Sequence, residues 1–319
     1  MSRPGAARYL TRRLVSIIPI TILVSLLLFA VLNLLPGDAA LTILSDTPHT
    51  EAMRDALRMQ LGLDDPWWTQ YLRWITGAID GRGASLVTDE PIRSIIGRQL
   101  PVTLLLSAYT TIIAVVTAIP LGVIAATRRG VLFDPLIRGI TIGGVSMPPI
   151  WSSLLVLLVL ARLFSWSPPI IYSGLFEAPG EHIALVIWPV AILAWQFGSH
   201  LVWVTRASVS NVISRQFVVA ARARGIREGR VIFRYGLRNA LLPPITAIGL
   251  HFGALLGGTV VLETVFGLPG IGLGIVDSGL ARDLPVILTQ ATVIVIIHQL
   301  LNFAVDVLYL LVDPRIDGV

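Results

Sequence analysis

The chain has 319 residues, of which 55% are hydrophobic and only 13% charged, and its mean hydropathy is +0.80. Soluble domains carry about 25% charged residues, so a soluble enzyme of ordinary type is excluded. The 24 basic residues are all Arg, against 19 acidic ones, for a net charge of +5; the lack of Lys excludes a Walker A loop and Schiff-base chemistry, and the lack of Cys excludes disulfides, thiolate nucleophiles and Cys-bound metals.

A bilayer core of about 30 Å takes about 20 apolar residues as helix. Six charge-free runs of that kind occur, at 14–35, 100–127, 139–161, 183–205, 239–262 and 284–305. Prolines interrupt several of them (Pro120, Pro148, Pro149, Pro189, Pro243, Pro244), which a bundle tolerates where neighbours or a lined cavity satisfy the freed carbonyls. The first run follows Arg8, Arg12 and Arg13. Its apolar part exceeds the 7 to 15 residues or so of a signal-peptide core and no convincing small-x-small cleavage site follows it, so a retained span is expected.

Arg is distributed unevenly between alternate loops. The N-terminus carries Arg3, Arg8, Arg12 and Arg13, and the second-to-third connection carries Arg128, Arg129 and Arg138. The fourth-to-fifth connection carries Arg206, Arg215, Arg222, Arg224, Arg227, Arg230, Arg234 and Arg238 against Glu228 alone. Cytoplasmic loops retain positive charge, so both termini are expected in the cytoplasm. The basic pI is then a sign of topology, and no nucleic-acid partner is expected.

The opposite loops are acidic or balanced. The segment 36–99 is too long for a plain connector. Thr50 as a cap, Met53, Leu57 and Leu61 at helical spacing and Gly62 as a stop predict a helix over 50–61. A second amphipathic stretch over 67–79 groups Trp68, Tyr71, Leu72 and Ile75, a composition suited to a membrane interface. This outer segment reads either as a scoop packed on the outer mouth or as a dock for an external partner. The segment 162–182, with Pro168, Pro169, Pro179 and Gly180, reads as irregular loop, and the Gly-rich stretch 263–283 as a loop holding a short helix over 271–280.

The basic loop reads Ser214-Arg215-Gln216-Phe217-Val218-Val219-Ala220-Ala221-Arg222-Ala223-Arg224-Gly225-Ile226-Arg227-Glu228, and runs on to Arg238-Asn239-Ala240-Leu241-Leu242-Pro243. An Ala-rich helix meeting Gly225, where a missing side chain permits a sharp change of direction, followed by a second basic helix, predicts a helix-turn-helix lying along the membrane. Small residues there let a partner's backbone come close.

The segment from Ala220 to Gly225 resembles the EAA loop of the permease subunits of bacterial ABC importers. Val219 stands where the name-giving Glu would be, and the Gly-to-Pro interval is longer than in the sugar importers. Both departures resemble the dipeptide/oligopeptide/nickel branch, which Ala221 to Ile226 and Arg238 to Pro243 match. The resemblance extends through Arg12-Arg13-Leu14, Pro19, Leu35-Pro36-Gly37-Asp38, Leu61-Gly62-Leu63-Asp64, Tyr71-Leu72-Arg73-Trp74 and Pro101-Val102-Thr103-Leu104. It continues with Glu263-Thr264-Val265-Phe266, Pro269-Gly270-Ile271-Gly272, Arg282-Asp283-Leu284-Pro285, Asp306, Tyr309 and Asp313-Pro314-Arg315-Ile316. The early first span and large outer segment look like the B-type permease of a pair.

The resemblance implies a type I ABC importer permease fold: an all-α membrane protein, a single permease domain over 1–319 with six transmembrane helices. It implies a C-type permease partner, two ATP-binding cassette ATPases and an extracytoplasmic solute-binding protein in a bacterial inner membrane. It also implies that this chain is non-catalytic and binds no cofactor, with ATP and Mg held by the partner subunits. Ala220, Ala221, Arg222, Ala223, Arg224, Gly225, Ile226 and Arg227 are the residues expected to couple to the ATPase. The cargo expected is di- or oligopeptides, with nickel chelates or glutathione as alternatives.

Other residues admit two readings. Ser146, Pro148 and Pro149 form either a kinked gate in the third span or a packing kink. Glu263, next to an apolar run, lines the outer gate or caps the Gly-rich loop. Arg282 and Asp283 either contact the binding protein or form a structural pair. His200, His251 and His298 lack the i, i+4 spacing of a metal-binding helix face, and no metal is expected. An ion-driven secondary transporter is the rival class, disfavoured by the few intramembrane acids and the absence of visible inverted halves. A membrane hydrolase lacks its motifs, HExxH or Gly-x-Ser-x-Gly.

Overall fold

A computed structural model describes residues 3–34, 39–44, 48–127, 133–169 and 171–312. Leu35-Pro36-Gly37-Asp38, Asp313-Pro314-Arg315-Ile316, Arg128 and Arg129 lie outside the described residues, as do the side chains of Arg3 and Tyr309. Among the described residues the chain is helical and has no strand, only an isolated bridge between Ala84 and Pro91.

The helices are α1 (Arg3–Leu34), α2 (Ala39–Leu44), α3 (Glu51–Leu61), α4 (Trp67–Asp80), α5 (Ile92–Thr127), α6 (Phe133–Ser146), α7 (Pro149–Phe164) and α8 (Pro179–Ile213). They continue with α9 (Gln216–Ala223), α10 (Glu228–Arg230), a π-helical segment (Val231–Leu237), α11 (Arg238–Ala240), α12 (Leu242–Phe266), α13 (Ile271–Leu280) and α14 (Leu284–Val312). Five of them, α1, α5, α8, α12 and α14, are long and apolar enough to cross a bilayer. The third charge-free run is not one straight span: α6 and α7 meet at 110°, so the count is six only if that pair is taken as one broken span. Consecutive prolines explain the break, since neither Pro148 nor Pro149 can donate a helical hydrogen bond. Pro148 is extended at φ −60, ψ 145, and Pro149 starts the next helix.

The chain divides into two compact units, Met1–Thr103 with Pro269–Phe303 and Asp317–Val319, and Leu104–Leu268 with Ala304–Ile316. In the first unit, α3 is built as its sequence requires. Thr50 Oγ1 accepts from the Met53 N–H, and Gly62 at φ +66 ends the helix, with Leu63 N–H bonded to Arg58 O at 3.0 Å. That is a Schellman stop, and Gly is the residue that takes its left-handed position without strain. Helix α4 turns Tyr71 toward α1, where its hydroxyl meets Ser25 Oγ at 2.8 Å and its ring lies edge-on to Phe29. Trp74 Nε1 donates to Thr289 Oγ1 of α14 at 3.0 Å. Trp67, Trp68, Leu72 and Ile79 of the same helix remain exposed.

Helix α8 is the core of the second unit, with 67% of its most apolar window buried. Between helices already in lipid, burial of apolar area gives little drive to associate, so close approach by small residues carries the packing. A Cβ on Gly122 of α5 would lie 2.6 Å from Thr205 Cβ of α8, and one on Gly144 of α6 would lie 2.9 Å from Ser199 Cβ. Trp195 Nε1 and Trp203 Nε1 of α8 donate to Ile140 O (3.1 Å) and Thr141 Oγ1 (2.9 Å) of α6. Helix α8 thereby holds the first limb of the broken span by both shape and hydrogen bonds.

Candidate functional site

The basic loop folds into a compact helical hairpin. Helix α9 ends in a Schellman motif. Gly225 N–H bonds to Arg222 O at 2.9 Å, and Ile226 N–H reaches back to Ala221 O at 3.4 Å. Gly225 sits at φ +74, and a Cβ there would meet nothing within 4 Å, so backbone conformation and not crowding selects glycine. The apolar contact that accompanies this turn is present: Ile226 packs on a cluster of Val218, Ala221 and Val231 with Val212, Ile213 and Tyr235.

The seven residues Val231–Leu237 that follow are π-helical. The hairpin is closed by one charge pair. Arg222 Nη2 lies 2.8 Å from Glu228 Oε1 and Arg222 Nε lies 3.1 Å from Oε2, a two-pronged grip on the one acidic residue of the loop. These hydrogen bonds hold the Glu228 carboxyl below its ordinary 4.5 and push the Arg222 guanidinium above its own.

The expected coupling residues therefore divide by direction. Ala221 is buried, Ile226 is half-buried, and Arg222, although exposed, is engaged by Glu228. Ala220, Ala223, Arg224, Gly225 and Arg227 are exposed. Beside them stand Phe217, Val219 and Phe233, which are 44%, 54% and 66% exposed. Large apolar groups left exposed on a strongly basic hairpin suit contact with a partner. Phe217 and Phe233 had no distinguishing signal in the sequence, because the connector also holds Val209, Val212, Ile213, Val218, Ile226, Val231 and Ile232, all of which are buried or half-buried.

The other named residues lie elsewhere. Ser146, Pro148 and Pro149 line an open cavity of about 410 Å3 at the α6–α7 break, together with residues of α8 and α12. Gln196 of α8 fixes the break by donating to Met147 O (2.9 Å) and Ser152 Oγ (3.0 Å). In the same cavity the rings of His200 and His251 stack at 4.1 Å. Among the described residues no group of three or more His, Asp or Glu could hold a metal ion.

Glu263 is fully buried near the end of α12, and its carbonyl accepts from Leu268 N–H at 2.8 Å as Gly267 closes the helix. Asp283 is 4% exposed. Its carboxylate accepts from Ser85 Oγ at 2.5 Å and Leu86 N–H at 3.2 Å, so it is engaged inside the chain, whereas its neighbour Arg282 is half-buried at φ +55.

Comparison with known proteins assigns this arrangement to a family. Residues 118–318 match the binding-protein-dependent transport system inner membrane component, and residues 6–107 match the N-terminal domain of such membrane components. The oligopeptide transport system permease protein AppB of Bacillus subtilis (strain 168) is 35% identical, with 98% of this chain and 99% of the relative covered. The dipeptide transport system permease protein DppB of Alkalihalophilus pseudofirmus is 34% identical, with 97% and 98% covered. The glutathione transport system permease protein GsiC of Escherichia coli O1:K1 / APEC is 34% identical, also with 97% and 98% covered. The chain belongs to the binding-protein-dependent transport system inner membrane components. It is a multi-pass membrane permease subunit with the type I ABC permease fold.

Proposed function

We propose that this chain forms half of the translocation pathway of an ATP-driven importer of di- or oligopeptides. The carrying observation is the hairpin at Gly225: a basic turn that leaves Phe217, Val219, Ala220, Ala223 and Arg224 exposed while Arg222 and Glu228 pair across it. Such a knob suits a groove on a peripheral ATPase that is apolar at its floor and acidic at its rim. The ATPase supplies ATP and Mg; this chain has no Lys for a phosphate loop and acts as a non-catalytic subunit.

The hairpin faces the cytoplasm in this reading, as do both termini, because Arg is concentrated on that side. A C-type permease completes the pathway, two ATPases drive it, and an extracytoplasmic solute-binding protein delivers cargo in a bacterial inner membrane. The broken span at Ser146–Pro149 lines the route. Glu263 belongs to the gate region, and half-buried Arg282 lies next to Asp283 just past the end of α13, on the part of the chain proposed to meet the binding protein.

Peptide cargo is supported by relatives named for oligopeptide and dipeptide transport. The relative named for glutathione transport favours a second cargo of the same chemistry, since glutathione is itself a small peptide. Reconstitution of the chain in vesicles with a partner permease, ATPases and binding protein from its own cell tests the assignment. ATP-dependent accumulation of short peptides, absent when the ATPases are omitted, is the expected result; nucleotide-independent uptake would contradict it.

A further inference from the structure

The break between α6 and α7 leaves the membrane region with backbone acceptors that the helix cannot serve. In an unbroken helix the Gly144 and Val145 carbonyls would be bonded by residues 148 and 149, and both of these are proline. Irregular backbone at membrane depth is tolerated where it is buried in protein or lines a cavity. Here Gly144 and Val145 line the cavity of about 410 Å3. That volume lies in the range of about 300–1,000 Å3 typical of small-molecule sites.

The side chains facing the same cavity add acceptors. Gln196 uses its amide nitrogen on Met147 O and Ser152 Oγ, so the group it has left is its carbonyl oxygen. His251 bonds through Nδ1 to Ala247 O at 3.1 Å, a contact that requires Nδ1–H. The neutral ring then carries an acceptor at Nε2. His200 stacks on it at 4.1 Å and fixes the ring plane. The Ser146 hydroxyl, which can accept or donate, also lines the cavity; the rest of the lining is apolar, as with Leu193, Phe197 and Leu255, and no carboxylate or Arg is among it.

We infer that this groove is the contact point for cargo in transit and that it takes the donor-rich end of a short peptide, its α-ammonium and first main-chain N–H groups. The inference rests on the importer reading and names where that importer touches its cargo. Neutral acceptors suit a transient stop. They match ammonium and amide donors without the deep well that a carboxylate would provide, and conduction requires a site that is easily left.

The test uses the assembled importer in vesicles and a tripeptide carrying a diazirine on its first side chain. Photolysis during turnover should label residues 144–149 together with the 196–200 or 251–258 segments, and the N-acetylated tripeptide, supplied at equal occupancy of the binding protein, should label them about tenfold less, as expected for loss of a charge-assisted hydrogen bond. His251→Phe, which keeps a stacked ring, should lower labelling by a similar factor while co-purifying with its partners in normal amounts. Labelling confined to other spans, or equal labelling by the acetylated peptide, would overturn the inference. Absence of ATP-dependent peptide uptake by the unsubstituted complex would instead overturn the importer reading on which it rests.

Discussion

Arg222 and Glu228 clasp each other across the turn at Gly225, with Nη2–Oε1 at 2.8 Å and Nε–Oε2 at 3.1 Å. Their side chains are 40% and 55% exposed, and an exposed pair of this kind contributes about 0–1 kcal/mol to stability. Its role is therefore to set the shape of the hairpin. Arg222→Ala and Glu228→Gln are expected to leave the melting temperature within about 2 °C, in keeping with so small a contribution, while lowering ATPase stimulation by the loaded binding protein severalfold. The charge-swapped double variant, Arg222→Glu with Glu228→Arg, should recover part of it. Stimulation assays on the purified complex read both effects.

The same pair has a pH dependence with a definite sign. Because the folded Glu228 carboxyl is lowered from 4.5, its stabilising contribution is fully present above the unfolded value and is lost as pH falls through the folded one. Glu90, hydrogen-bonded to Arg98 in the segment between the first two spans, behaves likewise, with its carboxyl lowered to about 2. The carboxylate carbon shift of selectively labelled Glu90 should stay that of the ion down to pH 3. Titration near 4.5 would mean that the pair does not form.

Gly225 allows a graded experiment. Residues other than glycine in the left-handed region carry about 1–2 kcal/mol of strain, least for Asn. With no neighbour near a Cβ, a side chain there adds no internal clash. Gly225→Asn is expected to couple nearly normally, and Gly225→Val to assemble but lose most transport-coupled ATP hydrolysis. Equal coupling in both variants would remove the turn geometry from the mechanism.

Asp283 makes a prediction about stability. Removing its carboxylate leaves Ser85 Oγ and Leu86 N–H without their buried acceptor, a cost of about 1–3 kcal/mol. Asp283→Ala should melt several degrees lower in detergent, whereas Asp283→Asn keeps an acceptor oxygen and should fall between it and the unsubstituted protein. A melting temperature unaffected by Asp283→Ala would leave the side chain available to an external partner.

Local signals made much of the fold legible. Helices α3, α4 and α13 were readable because caps, stops and spacing all lie within the segment itself, as with Thr50 and Gly62. The long apolar helices were readable because lipid imposes length and composition. Hydropathy carries no direction, however, so the run 139–161 looked like one span although Pro148–Pro149 turns it by 110°. Within the basic loop the Gly225 turn was predictable, but the Arg222–Glu228 clasp, six residues apart across a non-helical turn, was not. The π-helical stretch had no sequence signature. His200 against His251 and Ser85 against Asp283 are pairs joined only by tertiary folding, which single-sequence spacing cannot register.

The central claim is that this chain works as a subunit docked to ATPases through the Gly225 hairpin. Co-purification from native membranes in mild detergent, with every bound subunit identified, tests it most directly. The account predicts a second permease and two P-loop ATPases held by this chain, with the ATPases lost and the permease kept when Phe217 and Val219 are replaced by Asp. A lone chain or homo-oligomer that transports without nucleotide would contradict it.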